Sequence, residues 1–175
     1  LKNKTEAFFS CTYSIADSEF VPATSDFLAP HMAVCIGHSV PVEVIGTPRN
    51  DSLLADNESY DQIWPKRFPG KKIITYMPTH RLYGKGEVSP TPFCSDEQVQ
   101  HWLRENNVVL LVKQHPNMVR KLTDTFSNDV IVDISKEKID PQLLLKFTDV
   151  LISDYSSAFI DYLLLNRPVL FYIYD

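Results

Sequence analysis

Four short segments of the sequence combine hydroxyl, imidazole and cationic side chains in ways that suit phosphate chemistry. They are Gly46-Thr47-Pro48-Arg49-Asn50-Asp51, Pro78-Thr79-His80-Arg81, Lys113-Gln114-His115-Pro116 and Ser153-Asp154-Tyr155-Ser156-Ser157. Hydroxyl groups and cations donate hydrogen bonds to phosphate oxygens, and arginine can donate two in parallel. Histidine is the side chain best suited to transfer a proton or neutralise charge at about pH 7. The segments therefore predict a phosphate site.

The serine-rich segment lies between an apolar run and a helical stretch. The N-terminus of a helix has unpaired N–H groups and about half a positive charge, which favour a bound phosphate. Ser156 and Ser157 add two hydroxyl groups at this point. Serine is also a preferred capping residue, so a plain N-cap explains the segment equally well. Asp161, on the first turns of the predicted helix, faces either this site or solvent.

The remaining candidates also have two interpretations each. Pro116 favours an extended conformation at His115, which would hold the imidazole at a strand end, and a surface histidine is the alternative. Arg81 and Arg49 either donate to phosphate oxygens or point elsewhere, and Arg49 can instead form a local brace with Asp51. The other histidines in predicted helices are expected at the surface, without a functional role.

The apolar pattern indicates which elements position these segments. Short β-rich runs alternate with helical stretches, which is typical of a parallel α/β sheet. The predicted strands before the four segments are Val42 to Ile45, Lys72 to Tyr76, Val108 to Lys113 and Val150 to Ile152. Further predicted elements are helices from Ser95 to Asn106, Asp140 to Phe147 and Ser156 to Asn166, and a last strand from Pro168 to Tyr174. In an open parallel sheet ligands bind outside the carboxyl ends of the strands, so four such ends at one crevice predict a ligand site.

Bulk properties restrict the function classes. The 175 residues suit one domain, and the net charge of −5 disfavours general nucleic-acid binding. Three cysteines, Cys11, Cys35 and Cys94, form no C-x-x-C pair, which argues against a disulfide framework or zinc site and favours buried or half-buried thiols in a reducing cytoplasm. P-loop, dinucleotide-binding and nucleophile-elbow signatures are missing from the sequence.

In their order and approximate spacing, the four segments resemble the motifs of the CDP-glycerol glycerophosphotransferase family, the polymerases and primases of teichoic acids and related capsular polymers. The resemblance runs from Ser18 to Asp175, and its most specific part extends from Asp149 through Asp161 to Pro168. Met77 is a departure, since the family has alanine there. The resemblance implies a GT-B-like protein in which residues 1–175 form most of the C-terminal, Rossmann-like domain that binds the nucleotide diphosphate. The chain is then expected to be a fragment of a longer protein.

The resemblance also implies a reaction. An acceptor hydroxyl attacks the β-phosphorus of CDP-glycerol and releases CMP, with no cofactor or metal. His115 is the implied catalytic residue, and a second histidine, the general base, is expected upstream of residue 1. The implied donor-binding residues are Ser156, Ser157, Arg81, Arg49, Thr79, Asp161 and Lys113.

The implied partners are a CDP-glycerol donor, or another CDP-polyol such as CDP-ribitol, and a polymer or lipid-linked acceptor. The complete protein is expected in the cytoplasm at the inner face of the membrane. Two alternatives stay open from the residues alone. One is a GT-B glycosyltransferase or epimerase that uses a nucleotide sugar, and the other is a nucleotide-binding module without catalytic activity.

Overall fold

The computed structural model describes residues 18–37, 39–55, 66–79, 92–114 and 127–173. The chain divides into two compact units, Leu1–Asp51 and Ser52–Asp175. Among the described residues, no helix has both the length and the apolar character needed to cross a lipid bilayer.

The first unit contains a small parallel sheet. Its elements are strand β1 (Val21–Ala23), helix α1 (Leu28–Cys35), strand β2 (Val42–Val44) and a 3-10 turn (Pro48–Asn50), after which helix α2 (Asp51–Leu54) begins. β1 and β2 pair in parallel, with Val21 opposite Val42. The expectation that the strand before Gly46 ends in the same sheet as the other three is wrong, because β2 belongs to this separate two-stranded sheet. A three-residue strand has too short an apolar pattern to specify its sheet.

The second unit is built on a five-stranded parallel sheet. Its strands are β3 (Lys72–Met77), β4 (Val108–Val112), β5 (Ile131–Asp133), β6 (Val150–Ser153) and β7 (Val169–Phe171). Their spatial order is β5-β4-β3-β6-β7, and all neighbouring pairs are parallel. In sequence order, β3 forms the centre of the sheet, β4 and β5 are added on one side of it, and β6 and β7 are then added on the other side. The predicted α/β, Rossmann-like fold is confirmed.

Helices cover both faces of this sheet. All five residues of β4 are buried, as expected for a strand with apolar contacts on both sides. Val108, Leu110 and Val112 pack in one core cluster with Leu103 of helix α3 (Glu97–Glu105), whereas Val109 and Leu111 pack in another with Leu144 of helix α4 (Pro141–Phe147). These two clusters anchor the carboxyl ends of the strands between rigid layers.

Aspartate side chains cap the starts of α3 and α4. The Asp96 carboxylate accepts from the backbone N–H groups of the first turn of α3, and Asp140 does the same for α4, where Pro141 occupies the first turn. Helix α5 (Ala158–Tyr162) is shorter than the predicted helix from Ser156 to Asn166, and a 3-10 turn (Leu163–Leu165) follows it. Asn166 ends the turn with a left-handed backbone, φ 50°.

The two described cysteines differ in environment. Cys94 is buried, as expected, but Cys35 is exposed, so the expectation of a buried or half-buried thiol is wrong for that residue. Cys35 is the last residue of α1, and no residue of that helix is buried.

Candidate functional site

The crevice of interest lies at the carboxyl ends of β3 and β6. From β3 the chain continues through β4 and β5 on one side, and β6 and β7 complete the other side. Neighbouring strands whose connections depart in opposite directions leave a gap beyond their carboxyl ends, and open α/β sheets bind ligands there. The residues that follow these two strands are Pro78-Thr79 and Asp154-Tyr155-Ser156-Ser157.

Thr79 and Asp154 connect the two strand ends directly. The backbone N–H of Thr79 donates to both carboxylate oxygens of Asp154, at 2.9 Å to Oδ1 and 3.1 Å to Oδ2. The Thr79 hydroxyl donates to Oδ1 as well. Asp154 is only 2% exposed and Thr79 is half-buried. A carboxylate at the bottom of the crevice thus fixes the loop that leaves β3.

A second aspartate fixes the opposite ends of the same two strands. The carboxylate of Asp149 accepts from the backbone N–H of Ile73 at 2.8 Å, and its other oxygen lies 3.3 Å from the ammonium of Lys72. Asp149 and Asp154 therefore hold β6 against β3 at both ends of the pairing. Asp149 belongs to the last sequence motif but precedes the amino end of β6, whereas the crevice lies at the carboxyl end of that strand.

Ser156 and Ser157 lie where α5 begins. The hydroxyl of Ser156 accepts from the backbone N–H of Ala158 at 3.3 Å, which is a local contact. Ser157 occupies the N-cap position, but its side chain makes no capping hydrogen bond, and it is exposed. The plain N-cap explanation thus fails for Ser157. Because α5 has only five residues, its first N–H groups matter more here than a macrodipole.

Asp161 is a buried residue of helix α5, which follows the two serines. Its side chain is 6% exposed, which excludes the solvent-facing alternative. One carboxylate oxygen accepts from Nε2 of Gln142 on α4 at 3.0 Å. Asp161 therefore connects α5, which follows the serines, to the helix before β6.

Lys113 lies at the carboxyl end of β4, beside β3. Its ammonium donates to the carbonyl oxygens of Ile134 at 3.2 Å and Glu137 at 2.6 Å. Burial lowers the pKa of Lys113 from its ordinary value, and the charges of Glu137 and Asp133 partly offset this. An ammonium has three protons, so these two bonds leave one for another acceptor.

Gln114 follows Lys113 and is almost fully buried. Its backbone N–H donates to the hydroxyl of Ser135 at 2.9 Å, and the Ser135 N–H in turn donates to Asp133 at 2.9 Å. Its side chain is 2% exposed, and within the described part of the chain neither Nε2 nor Oε1 has a hydrogen-bond partner. The sequence predicts no role for Gln114, because a neutral amide between a lysine and a histidine has no chemistry that a motif would reveal.

Three sequence-predicted residues keep only their sequence-based assignments. His115 and Arg81 lie outside the described residues. Arg49 is exposed on the 3-10 turn of the first unit, and its assignment to the donor remains a sequence-based prediction. Across the ranges that the structure describes, no group of three or more His, Cys, Asp or Glu side chains is placed to hold a metal ion.

Comparison with known proteins identifies the family. Residues 3–175 match the family model described as CDP-Glycerol:Poly(glycerophosphate) glycerophosphotransferase. The chain belongs to this family. The relationship inferred from the four motifs is therefore confirmed.

Curated members of the glycerophosphotransferase family include several similar proteins. The teichoic acid glycerol-phosphate primase of Bacillus subtilis (strain 168) is 38% identical over 133 residues, which cover 75% of this chain and 33% of that protein. The teichoic acid ribitol-phosphate polymerase TarL of Staphylococcus aureus is 34% identical over 139 residues, covering 74% of this chain and 24% of TarL. The chain thus spans a third or less of the length of these relatives.

Solved structures of the family share the fold. The wall teichoic acid polymerase TagF superposes with a TM-score of 0.73 at 24% identity, over 97% of this chain and 43% of the TagF chain. This likeness confirms the predicted α/β class of the chain. Another solved structure is of a TagF variant soaked with CDPG.

Two buried residues at the carboxyl ends of the strands were not among the sequence-predicted site residues. Asp154 is part of the last motif, but nothing in its spacing indicates that it bonds Thr79, which lies 75 positions earlier. Gln114 is buried in a motif where only its neighbours had recognisable chemistry. A signal for Asp154 existed in principle, because a carboxylate directly after an apolar strand must be paired if it is buried.

Proposed function

We propose that this chain is the donor-binding part of an enzyme that transfers glycerol phosphate from CDP-glycerol to a hydroxyl of a teichoic-acid-like or capsular polymer. In this reaction the acceptor oxygen forms a bond to the β-phosphorus, and the bond from that phosphorus to the bridging oxygen breaks. The electron pair stays with CMP, the leaving group, and the acceptor proton passes to a general base.

The observation that supports this proposal is the crevice between β3 and β6. Two of the family motifs, which are 75 positions apart at Thr79 and Asp154, meet there through hydrogen bonds. The same crevice is where parallel α/β sheets bind nucleotides. Phosphoryl transfer requires mainly positioning and charge stabilisation, and a rigid crevice with polar strand ends supplies both.

Groups that can donate hydrogen bonds to the diphosphate of CDP-glycerol lie at the carboxyl ends of the strands. The Ser157 hydroxyl makes no cap bond, and Ser156 supplies a second hydroxyl beside the first N–H groups of α5. Lys113 retains one ammonium proton after its two carbonyl bonds. We assign these three residues to the diphosphate. Asp161 contributes indirectly, because its hydrogen bond to Gln142 holds α5 against α4.

The remaining roles follow from the sequence alone. His115 is proposed to stabilise the charge that develops on the leaving group, because it directly follows Lys113-Gln114 at the end of β4. Arg81 and Arg49 are proposed to neutralise phosphate oxygens. The complete protein is proposed to work at the inner face of the cell membrane, where a lipid-linked acceptor would lie.

Calorimetry on the complete protein tests the donor assignment. CDP-glycerol, CDP-ribitol and a UDP-sugar are compared at equal ionic strength, since all three present a diphosphate. We expect CDP-glycerol to bind most tightly. Equal binding of the UDP-sugar would favour a nucleotide-sugar enzyme instead, and binding without CMP release in the presence of acceptor would favour a non-catalytic module.

A further inference from the structure

The hydrogen bonds between Thr79 and Asp154 determine what Thr79 can offer a ligand. A threonine residue has two protons to donate, one on its backbone nitrogen and one on its hydroxyl. Both are donated to the carboxylate of Asp154. A carboxylate accepts hydrogen bonds and donates none, so the direction of these bonds is fixed.

Thr79 Oγ1 can therefore act toward a ligand only as an acceptor. Its lone pairs remain available, because the hydrogen bonds of Thr79 among the described residues are all donated by it to Asp154. Phosphate oxygens are acceptors too, so a diphosphate placed against this atom would gain no hydrogen bond. It would also approach the negative charge of Asp154, which is 2% exposed and weakly screened by solvent. The chemistry at this position suits a ligand O–H group.

We propose that Thr79 accepts a hydrogen bond from a hydroxyl group of the bound donor. Asp154 is then the positioning residue, because it accepts both Thr79 protons and leaves Oγ1 able only to accept. The inference rests on the proposed function, and it replaces a phosphate contact for Thr79 with a contact to the ribose or glycerol part of CDP-glycerol. Both parts present hydroxyl groups, whereas the diphosphate between them presents none.

The neighbouring residues Ser157 and Lys113 differ from Thr79 in the hydrogen bonds that they can form with a ligand. Ser157 and Lys113 have protons available for acceptors such as phosphate oxygens. Thr79, between them at the end of the central strand β3, has only lone pairs. A molecule with a diphosphate next to a hydroxylated group matches this arrangement, and a bare diphosphate matches only part of it.

The test is a comparison of two Thr79 variants with four ligands, by calorimetry on the complete protein. Thr79→Val keeps the side-chain shape and the backbone bond to Asp154 but removes Oγ1, and Thr79→Ser keeps the hydroxyl as the matched control. The ligands are CDP-glycerol, its 2′-deoxyribose analogue, an analogue with propanol in place of glycerol, and inorganic pyrophosphate.

We expect Thr79→Val to weaken CDP-glycerol binding by about 5- to 20-fold, the effect of one lost hydrogen bond. The analogue that lacks the contacted hydroxyl should bind the wild type and Thr79→Val equally, and this identifies ribose or glycerol as the source. Pyrophosphate binding should not change, and Thr79→Ser should resemble the wild type.

Two results would overturn the inference. If Thr79→Val weakens pyrophosphate as much as CDP-glycerol, Thr79 contacts the diphosphate. If it weakens no ligand, Thr79 contacts none of them. A wild-type protein that prefers a UDP-sugar contradicts the proposed function instead, and the Thr79 comparison can then be made with that ligand and its deoxy forms.

Asp154→Asn supplies an independent measurement if Thr79→Val does not fold. An asparagine amide can donate to Oγ1, which frees the threonine proton for a ligand acceptor. We expect this variant to lose the preference for hydroxylated ligands while its pyrophosphate affinity increases. An unchanged preference would show that Asp154 does not set the polarity of Thr79.

Discussion

The ammonium of Lys113 lies 2.6 Å from the carbonyl oxygen of Glu137, so the end of β4 is fastened to the segment that follows β5. The Glu137 carboxylate is in turn held by a two-pronged pair with Arg67, at 2.6 Å and 2.8 Å. This pairing lowers the pKa of Glu137 from its ordinary value. These contacts hold the carboxyl end of β4, which precedes the proposed catalytic histidine in the sequence, without a bound ligand.

Removing this ammonium should destabilise the chain. Lys113→Met keeps most of the side-chain length but leaves the carbonyls of Ile134 and Glu137 without this donor. We expect the free energy of unfolding in urea to fall by about 1–3 kcal/mol. Lys136→Met, at an exposed lysine of the same segment, is the control and should change little. Equal effects of the two substitutions would contradict the role of the carbonyl bonds.

Replacing the buried amide of Gln114 should have the opposite effect. An unpaired polar group in the interior destabilises a fold by about 1–3 kcal/mol, and methionine has a similar shape without the amide. We therefore expect Gln114→Met to raise the free energy of unfolding, and the exposed Gln98→Met to leave it nearly unchanged. A clear loss of stability in Gln114→Met would mean that a bound water or ligand satisfies the amide.

Tyr162 should contribute to unfolding at high pH. Burial raises its pKa to about 12, and its hydroxyl donates to the Thr148 carbonyl at 2.9 Å. The unfolded tyrosine loses its proton near the ordinary value of 10.0, so its stabilising effect is complete below that pH and disappears as the pH rises toward about 12. Tyr162→Phe should flatten this alkaline decline in urea unfolding, whereas the exposed Tyr155→Phe should retain the wild-type slope.

His115 should be required for transfer but not for folding. A side chain that stabilises charge in the transition state typically contributes about 10²- to 10³-fold, so His115→Ala in the complete protein should reduce kcat by that order. CMP release in the presence of acceptor is the measurement. His101→Ala, at an exposed histidine of α3, should retain wild-type activity. Unchanged CMP release from His115→Ala would remove the residue from the mechanism.

Several elements follow directly from local sequence. The run Val108 to Val112 has no polar residue, and such a run predicts a strand that is buried on both faces, as β4 is. Asp96 and Asp140-Pro141 specify the starts of α3 and α4, because capping depends on the two or three N–H groups that follow. These interactions lie within one turn of the chain, which is why the sequence alone indicates them.

Other features depend on partners that are distant in sequence. The membership of β2 in a separate sheet is set by its pairing with β1, and its three residues give no hint of this. The bonds of Thr79 to Asp154, and of Lys113 to Glu137, change what each side chain can offer a ligand. Motif matching identified Thr79 and Lys113 as candidates, but only the three-dimensional contacts show how many of their protons are already donated.

The separation of 75 positions between Thr79 and Asp154 also has a consequence for the order in which the protein acquires its structure. Contacts between distant residues require closure of a long loop and form more slowly than local ones. β3 and β4 can pair around α3 early, whereas β6 reaches β3 only after β5 and α4 have been made. A ribosome-bound chain that ends before β6 would therefore fold part of the sheet but would lack the crevice between β3 and β6, which is the proposed donor site. Nucleotide binding can accordingly serve as a late marker of folding during synthesis.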